Sequence, residues 1–512
     1  MPEDRPGAAS TRRANVAWTR WPLALLGIAL LVRLASAAAT GFDGLYGQDP
    51  FAYFDHARAI YGALLGGTLP PPFFYPIGYP LLAAVAMLVT GAHPLAAQAV
   101  SVLAGAFAAP ASYALVQQVK PGATLGAVTA GLLAAFAPQL VVSSLSVDSD
   151  AAAFFFALLS ALAMGRYVTR LKLRWLSLAA LALGMAVLTR WVYALAVLPW
   201  AAAAWLAWRA RALPLRGRLA GAVIAVAIGG AVVGSQFAGE LGHGFSHFGD
   251  VAIASWSPAN AVHAEIANPD GVFHYPVPVA AYYALATVHP AFVFPLLAPL
   301  AGLGLVSLRR AFRPHAVLLL GWLLVMLGFF AGFPWENPRF PLSYFAPLVA
   351  LVGLGVEAAL ERRAPRQAVA AWCALGLAGS LAWTARDVPR FADRKRADLE
   401  AAIWCEGQVP PPSRVLAFGL TETLRHYTPL EVVEIFDETP ATLAALLGDG
   451  RPTYVLADAD NVASQWVGRA PQINLSWLRN RTALAELGRA GHYTLWRVGA
   501  RRAAQSARQG AP

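Results

Sequence analysis

Apolar residues run almost unbroken through eleven segments, near 21–40, 94–118, 123–143, 150–167, 174–189, 191–208, 219–238, 279–307, 315–333, 341–360 and 367–385. Each has about the length that a hydrocarbon core roughly 30 Å thick demands of a helix. The pattern predicts a polytopic α-helical membrane protein with about eleven transmembrane helices. A twelfth apolar run, 79–89, is too short to span comfortably, and Pro76, Gly78 and Pro80 interrupt its start, so it is predicted to be juxtamembrane or re-entrant. Beyond about residue 386 the apolar runs shorten and charges recur. RVLAFG at 414–419, VVEIF at 432–436, PTYVLAD at 452–458 and HYTLWRV at 492–498 read as strands, and 441–448 and 481–490 as helices. The expected organisation is a tail at 1–20, a transmembrane domain at 21–385, a small α/β soluble domain at 386–499, and a basic, disordered tail at 500–512.

Composition agrees with the pattern: 58% of the 512 residues are hydrophobic and 13% charged, with a mean hydropathy of +0.52. A net charge of +11 invites a nucleic-acid reading, but the arginines cluster in short loops between apolar segments, the distribution that orients a membrane protein. If the N-terminus is cytoplasmic and 79–89 does not cross, Lys120 and the basic groups at 166–174, 209–218, 309–313 and 362–366 all fall inside. The first span is then a retained helix rather than a cleaved signal. The outer face receives 41–78, 146–150, the turn at Arg190, the loop 239–278, the turn 335–340 and the C-terminal domain. A chain rich in Arg, Ala and Gly whose only lysines are Lys120, Lys172 and Lys395 suggests a GC-rich bacterial genome, hence an inner membrane. Cys373 and Cys405 have neither metal-ligand nor disulfide spacing.

The chemistry-bearing residues gather in those outer loops. Asp49, in QDPFAYFDHAR directly after the first span, is a candidate general base, or a helix-capping residue ahead of Pro50. Asp148 and Asp150 form an Asp-x-Asp pair suited to Mg²⁺ or Mn²⁺, with Asp49 as a further ligand, or to capping the helix that follows. Arg190 and Arg339, at outer helix ends, suit a phosphate held in a two-pronged contact, or interfacial snorkelling. Glu336 either orients Arg339 or simply pairs with it. In 239–278, His243 and His247 have zinc-ligand spacing only if helical, and the glycines around them point instead to a mobile cover, with Glu265 a remote third metal ligand. Tyr75 and Tyr79 suit an interfacial aromatic belt. The sequons at Asn474 and Asn480 are short enough to arise by chance.

The succession of a first apolar span, QDPFAYFDHAR, FFYPIGYPLLAAV, SVDSDAAAFFF, LTRWVYAL and ENPRFPLSYFAPLVAL resembles the GT-C superfamily of polyprenyl-phosphate-dependent glycosyltransferases over most of 20–360. That superfamily includes protein O-mannosyltransferases, lipid A aminoarabinose transferases and oligosaccharyltransferase catalytic subunits. The resemblance implies catalytic roles for Asp49, Asp148 and Asp150. It implies substrate binding by Tyr53, Arg58, Tyr75, Arg190, Glu336 and Arg339. Asp49, Tyr53, Ala57 and Arg58 match the family's spacing in the first outer loop, which favours Asp49 over Asp43 or Asp55. Pro50 stands where many mannosyltransferase-like members have Glu, and no WWDYG-type segment is present. The implied activity is inverting transfer of a sugar from a polyprenyl-phosphate carrier to a lipid, glycan or protein acceptor outside the membrane. The competing readings are a transporter or flippase, and a scaffold-like member without catalysis.

Overall fold

The computed structural model describes residues 8–237 and 247–499. His243 lies outside them. The chain divides into two compact units, one formed by 1–45, 49–263 and 277–389, the other by 46–48, 264–276 and 390–512.

The first unit is helical. Its elements are α1 (Ala8–Thr40), α2 (Gln48–Leu64), α3 (Gly78–Thr90), α4 (Pro94–Val119), α5 (Thr124–Phe136), α6 (Pro138–Leu145), α7 (Asp150–Arg170), α8 (Leu173–Thr189), α9 (Val197–Ala210), α10 (Leu215–Gly234), α11 (Phe248–Ala254), α12 (Val279–Ala286), α13 (Ala298–Ser307), α14 (Arg313–Ala331) and α15 (Phe345–Glu361). A long helix, α16 (Arg366–Gln408), carries the chain into the second unit. Among the described residues eight helices are long and apolar enough to cross a membrane. The protein is therefore an integral membrane protein. Leu23, Leu31, Val223 and Val226 are exposed on such helices, where lipid would cover them.

The three remaining expected spans take other forms. Residues 123–143 are the pair α5 and α6, bent by 49°, because Pro138 lacks the N–H that would continue α5. Residues 174–189 correspond to the 17-residue α8. Residues 279–307 are not one helix: α12 ends before Pro290, and the chain resumes at Pro295. At 13 residues α3 is about 20 Å long, short of the hydrocarbon thickness.

The α5–α6 bend leaves carbonyls unpaired within their own helix, and buried side chains take them up. Ser380 and Thr384 donate to Phe136 O at 3.3 and 2.6 Å. Arg33, fully buried in α1, donates to Ala135 O at 3.3 Å and to Ser144 Oγ at 3.0 Å. Gly105 leaves the room, since a Cβ there would strike both Ser144 and Arg33.

The second unit holds a five-stranded sheet of β3 (Arg414–Phe418), β4 (Glu431–Glu434), β5 (Thr453–Ala457), β6 (Ala483–Ala490) and β7 (Tyr493–Gly499), ordered β4-β3-β5-β7-β6. A separate hairpin, β1 (Glu265–Asn268) with β2 (Gly271–His274), belongs to the same unit. Strand β3 pairs in parallel with β4 and β5, while β7 is antiparallel to β5 and β6. Alternation along the strands builds two cores. Val415, Ala417, Tyr454 and Leu456 pack against Ala402 and Cys405 of α16. Leu416, Phe418, Val455 and Ala457 pack against Leu443, Val462 and Leu475. Residues 481–490, expected to be helical, are mostly strand β6: ladder bonds to β7 across a turn at Gly491 (φ +59°) override the helix propensity of ALAEL. The helix lies just upstream, at Ala470–Arg481. Its Asn474 is buried and donates to Ile435 O and Glu438 O, so that sequon is packing, not a glycan site.

Candidate active site

Five of the charged residues singled out by sequence converge within the first unit. Asp49 sits in the first turn of α2 and Asp150 opens α7, with Asp148 two residues before it. Arg190 is the residue after α8. Arg339 follows Asn337, whose Oδ1 accepts the Arg339 N–H at 2.9 Å and fixes the turn. The Tyr283 hydroxyl donates to Trp335 O, anchoring the same turn.

Arg339 is the hub. Its Nη2 donates to Asp49 Oδ2 at 2.6 Å, its Nη1 donates to Asp148 Oδ2, and its Nε lies 3.8 Å from Asp150 Oδ2. Arg190 pairs through Nη1 with Asp150 Oδ1, donates to Ser149 Oγ at 3.4 Å, and lies over the Phe340 ring at 5.1 Å. The snorkelling readings of the two arginines give way to one ion cluster, whose Asp49 and Asp150 also stand in the first turns of their helices, where the macrodipole favours negative charge. Three carboxylates against two guanidiniums leave the cluster with one negative charge in excess when all are ionised. Its depth is graded. The side chains of Asp148 and Asp150 are 2% exposed, those of Asp49 and Arg339 both 27%.

Asp49 Oδ1 accepts a hydrogen bond from the Tyr75 hydroxyl at 2.8 Å. Burial alone would raise the Asp49 carboxyl. Arg339 outweighs it with charge and hydrogen bond, Tyr75 adds its own, and Asp49 lies below the ordinary carboxylate range. Tyr75 is placed by an aromatic cluster with Tyr53 and Phe73, at centroid distances of 5.3 and 5.6 Å. After it, the Ile77 N–H donates to the buried Gln236 Oε1 at 2.8 Å. Gly78 brings this segment against the end of α8, since a Cβ there would lie 2.6 Å from Leu188 O.

Other expected site residues stand elsewhere. Tyr53 is 4% exposed, and its hydroxyl donates to Ser149 Oγ at 3.2 Å, so it supports the cluster from beneath rather than meeting a substrate. Arg58 lies apart, exposed on α2 with Asp55 at 3.9 Å, because nine residues of helix carry it about 13 Å along the axis from Asp49. Glu336 does not pair with Arg339, whose ion-pair partners among the described residues are the three aspartates. One Glu336 oxygen is buried without a hydrogen-bond partner, and burial lifts its carboxyl from an ordinary 4.5 to about 7. Glu265 is exposed on the β1–β2 hairpin, 3.4 Å from His274. His247 is buried at the start of α11, where Asp250 Oδ2 accepts its backbone N–H. Sequence reasoning missed Ser149, although its place between Asp148 and Asp150 was the available signal.

The carboxylates do not fit a divalent cation as they stand. Arg339 occupies the space between Asp49 and Asp148, and Asp150 Oδ2 is the oxygen left without a hydrogen bond. Among the described residues no group of three or more His, Cys, Asp or Glu side chains is arranged to hold a metal ion.

Residues 75–240 match the family model described as dolichyl-phosphate-mannose-protein mannosyltransferase. The chain is similar in structure to ArnT from Cupriavidus metallidurans bound to undecaprenyl phosphate, with a TM-score of 0.61 at 15% identity over 94% of this chain and 98% of the other. ArnT in the apo state gives 0.62 at 14% identity, with the same shares covered. The fold of this chain is the one seen in these ArnT structures. The likeness in fold extends to the Archaeoglobus fulgidus oligosaccharyltransferase in the apo form, with a TM-score of 0.57 at 14% identity over 95% of this chain and 75% of the other. No curated protein matches the sequence. The family-model match over 75–240 takes in Tyr75, Asp148, Asp150 and Arg190, and leaves Asp49 and Arg339 outside.

Proposed function

We propose that the protein is a membrane glycosyltransferase that moves a sugar from a polyprenyl-phosphate-linked donor to an acceptor at the outer membrane face. The observation that carries this reading is Arg339 shared between Asp49 and Asp148, at the open end of a cluster in which Asp148 and Asp150 are buried. A guanidinium clamped by carboxylates is a phosphate ligand in waiting, because phosphate oxygens accept the same two-pronged contact.

The chemistry follows from that exchange. A donor phosphate entering from the exposed side competes with Asp49 for Arg339. As Arg339 turns to the phosphate, Asp49 loses its main stabilising partner and becomes more basic. The acceptor O–H or N–H proton passes to Asp49, the acceptor atom attacks the anomeric carbon, and the bond from that carbon to the phosphate oxygen breaks. The electron pair leaves with the polyprenyl phosphate, whose developing charge Arg339 and Arg190 stabilise. A single displacement inverts the anomeric centre. Donor binding thus unmasks the base, and no step runs through a cation. The charge of the basic loops supports an orientation with the N-terminus in the cytoplasm and this site outside.

The transporter reading draws on the broken helix and the intramembrane arginine. Arg33, however, binds the helix break through Nε and Nη1, and the carboxylates of the cluster sit at helix ends. Mass spectrometry of lipids co-purifying with the wild type and with an Arg190→Ala/Arg339→Ala double variant tests the donor. A glycosylated polyprenyl phosphate held by the wild type and lost from the variant is expected. Bulk phospholipid alone in both would sink the reading.

A further inference from the structure

Asp49 and Asp148 lie 99 residues apart in sequence, on segments that approach each other from opposite sides of Gln98. Resting on the glycosyltransferase reading for its functional consequence, we infer that Gln98 is the positioning residue that fixes the spacing between the two carboxylate-bearing segments.

Gln98 lies in α4 and is 5% exposed. Its amide has two N–H donors, and both are used: Nε2 donates to Phe42 O at 2.9 Å and to Leu145 O at 2.8 Å. Phe42 belongs to the segment between α1 and α2 that leads to Asp49. Leu145 is the last residue of α6, three before Asp148. One side-chain nitrogen therefore ties both segments to the same point of a third helix.

Neighbouring contacts close the clamp. The Val147 N–H donates to Gly44 O at 2.9 Å, directly linking the two segments. Gly44 has φ +96°, and a Cβ there would lie 2.7 Å from Val147 Cγ2 and 3.3 Å from Gln98 Cβ. The segments thus approach as closely as a residue without a side chain permits. One turn along α4, Ser101 Oγ donates to Asp148 O at 3.3 Å and shares a hydrogen bond with the Tyr79 hydroxyl at 2.8 Å. None of these groups carries charge, and the cluster is reached only at the backbone oxygen of Asp148, so Gln98 acts through where it holds the backbone. Its reach decides whether Arg339 can span Asp49 and Asp148 at once.

Gln98→Met keeps the length of the side chain and removes both donors. Purified full-length wild type and Gln98→Met are compared by hydrogen exchange of 41–47 and 145–150, and by single-turnover transfer from the glycosylated polyprenyl phosphate that co-purifies. Faster exchange confined to both segments is expected, the Val147 amide included. The transfer rate should fall at least tenfold while the dissociation constant for undecaprenyl phosphate changes less than threefold, since displacements near 1 Å in such sites can cost about a hundredfold in rate. Unchanged exchange in either segment, or looser segments with an unchanged rate, overturns the inference. If Gln98→Met does not fold, Gly44→Ala pries the same segments apart from the other side and should give the same signature. A wild type that transfers nothing, with a variant that still loosens both segments, defeats the glycosyltransferase reading and leaves the clamp standing.

Discussion

Arg33 and Arg339 are both arginines that a bilayer environment penalises, yet the structure uses them in opposite ways. Arg33 is fully buried in a membrane-spanning helix and directs Nε and Nη1 at neutral oxygens, Ser144 Oγ, Ala135 O and Ala29 O, the last at 3.1 Å, while its Nη2 has no hydrogen-bond partner. Arg339 lies just outside a span and is shared by carboxylates, with more than a quarter of its side chain exposed. Neutral partners locked inside a helix bundle have nothing to exchange with. Charged partners at an opening do, because an incoming phosphate offers the guanidinium what it already has. The difference separates a cation that holds the fold from one that handles a substrate, and position alone, arginine near a helix end, does not reveal it.

Replacing Arg33 is the strongest way to break this comparison. Arg33→Met leaves Ala135 O and Ser144 without their donor, at a cost of about 1–3 kcal/mol for each group left unpaired in the interior. Thermal unfolding in detergent should show that loss, while transfer per folded molecule stays within a few-fold of wild type. Transfer lost without destabilisation would place Arg33 in the chemistry.

Glu336 sharpens the contrast from the acidic side, as a carboxyl with a buried, unpartnered oxygen. Its folded pKa is raised, so the folded state prefers the protonated form. Stability is then highest below about 4.5, declines as pH rises toward about 7, and levels off above. Glu336→Gln should flatten that decline in a pH series of unfolding midpoints. An unchanged slope would mean that Glu336 is solvated.

The smallest effect is expected at Arg58, which is exposed, lies 3.9 Å from Asp55 and stands over the Phe54 ring at 5.8 Å. Arg58→Ala should leave transfer within twofold, as for most exposed ion pairs. A loss above tenfold would restore it to the substrate site.

Much of this was legible in the sequence, for identifiable reasons. Long apolar runs report spans directly, and the charge of their loops predicted Asp49, Asp148, Asp150, Arg190 and Arg339 at one face; the structure brings the five together. What the sequence did not reveal depends on three-dimensional pairing. Whether Arg339 pairs with Glu336 three residues away or with Asp49 290 residues away is set by backbone turns that local spacing does not encode. Arg58 matched a motif but falls on the wrong stretch of α2. Residues 483–490 carry helix-forming residues whose conformation is decided by β7 across the hairpin. Gln98 looked like one more polar residue in an apolar helix, and its weight comes from two carbonyls far away in the chain.

The central claim is that Asp49 holds Arg339 until a phosphate takes it, and then acts as the base. Asp49→Asn separates the two roles, because it removes both a competitor for the guanidinium and the group that accepts the proton. Undecaprenyl phosphate binding and sugar transfer, measured on the same purified variant, give the most direct test. Affinity should rise at least threefold over wild type while transfer falls roughly 10²–10⁴-fold. Affinity that falls together with transfer, or transfer that survives, would contradict the account.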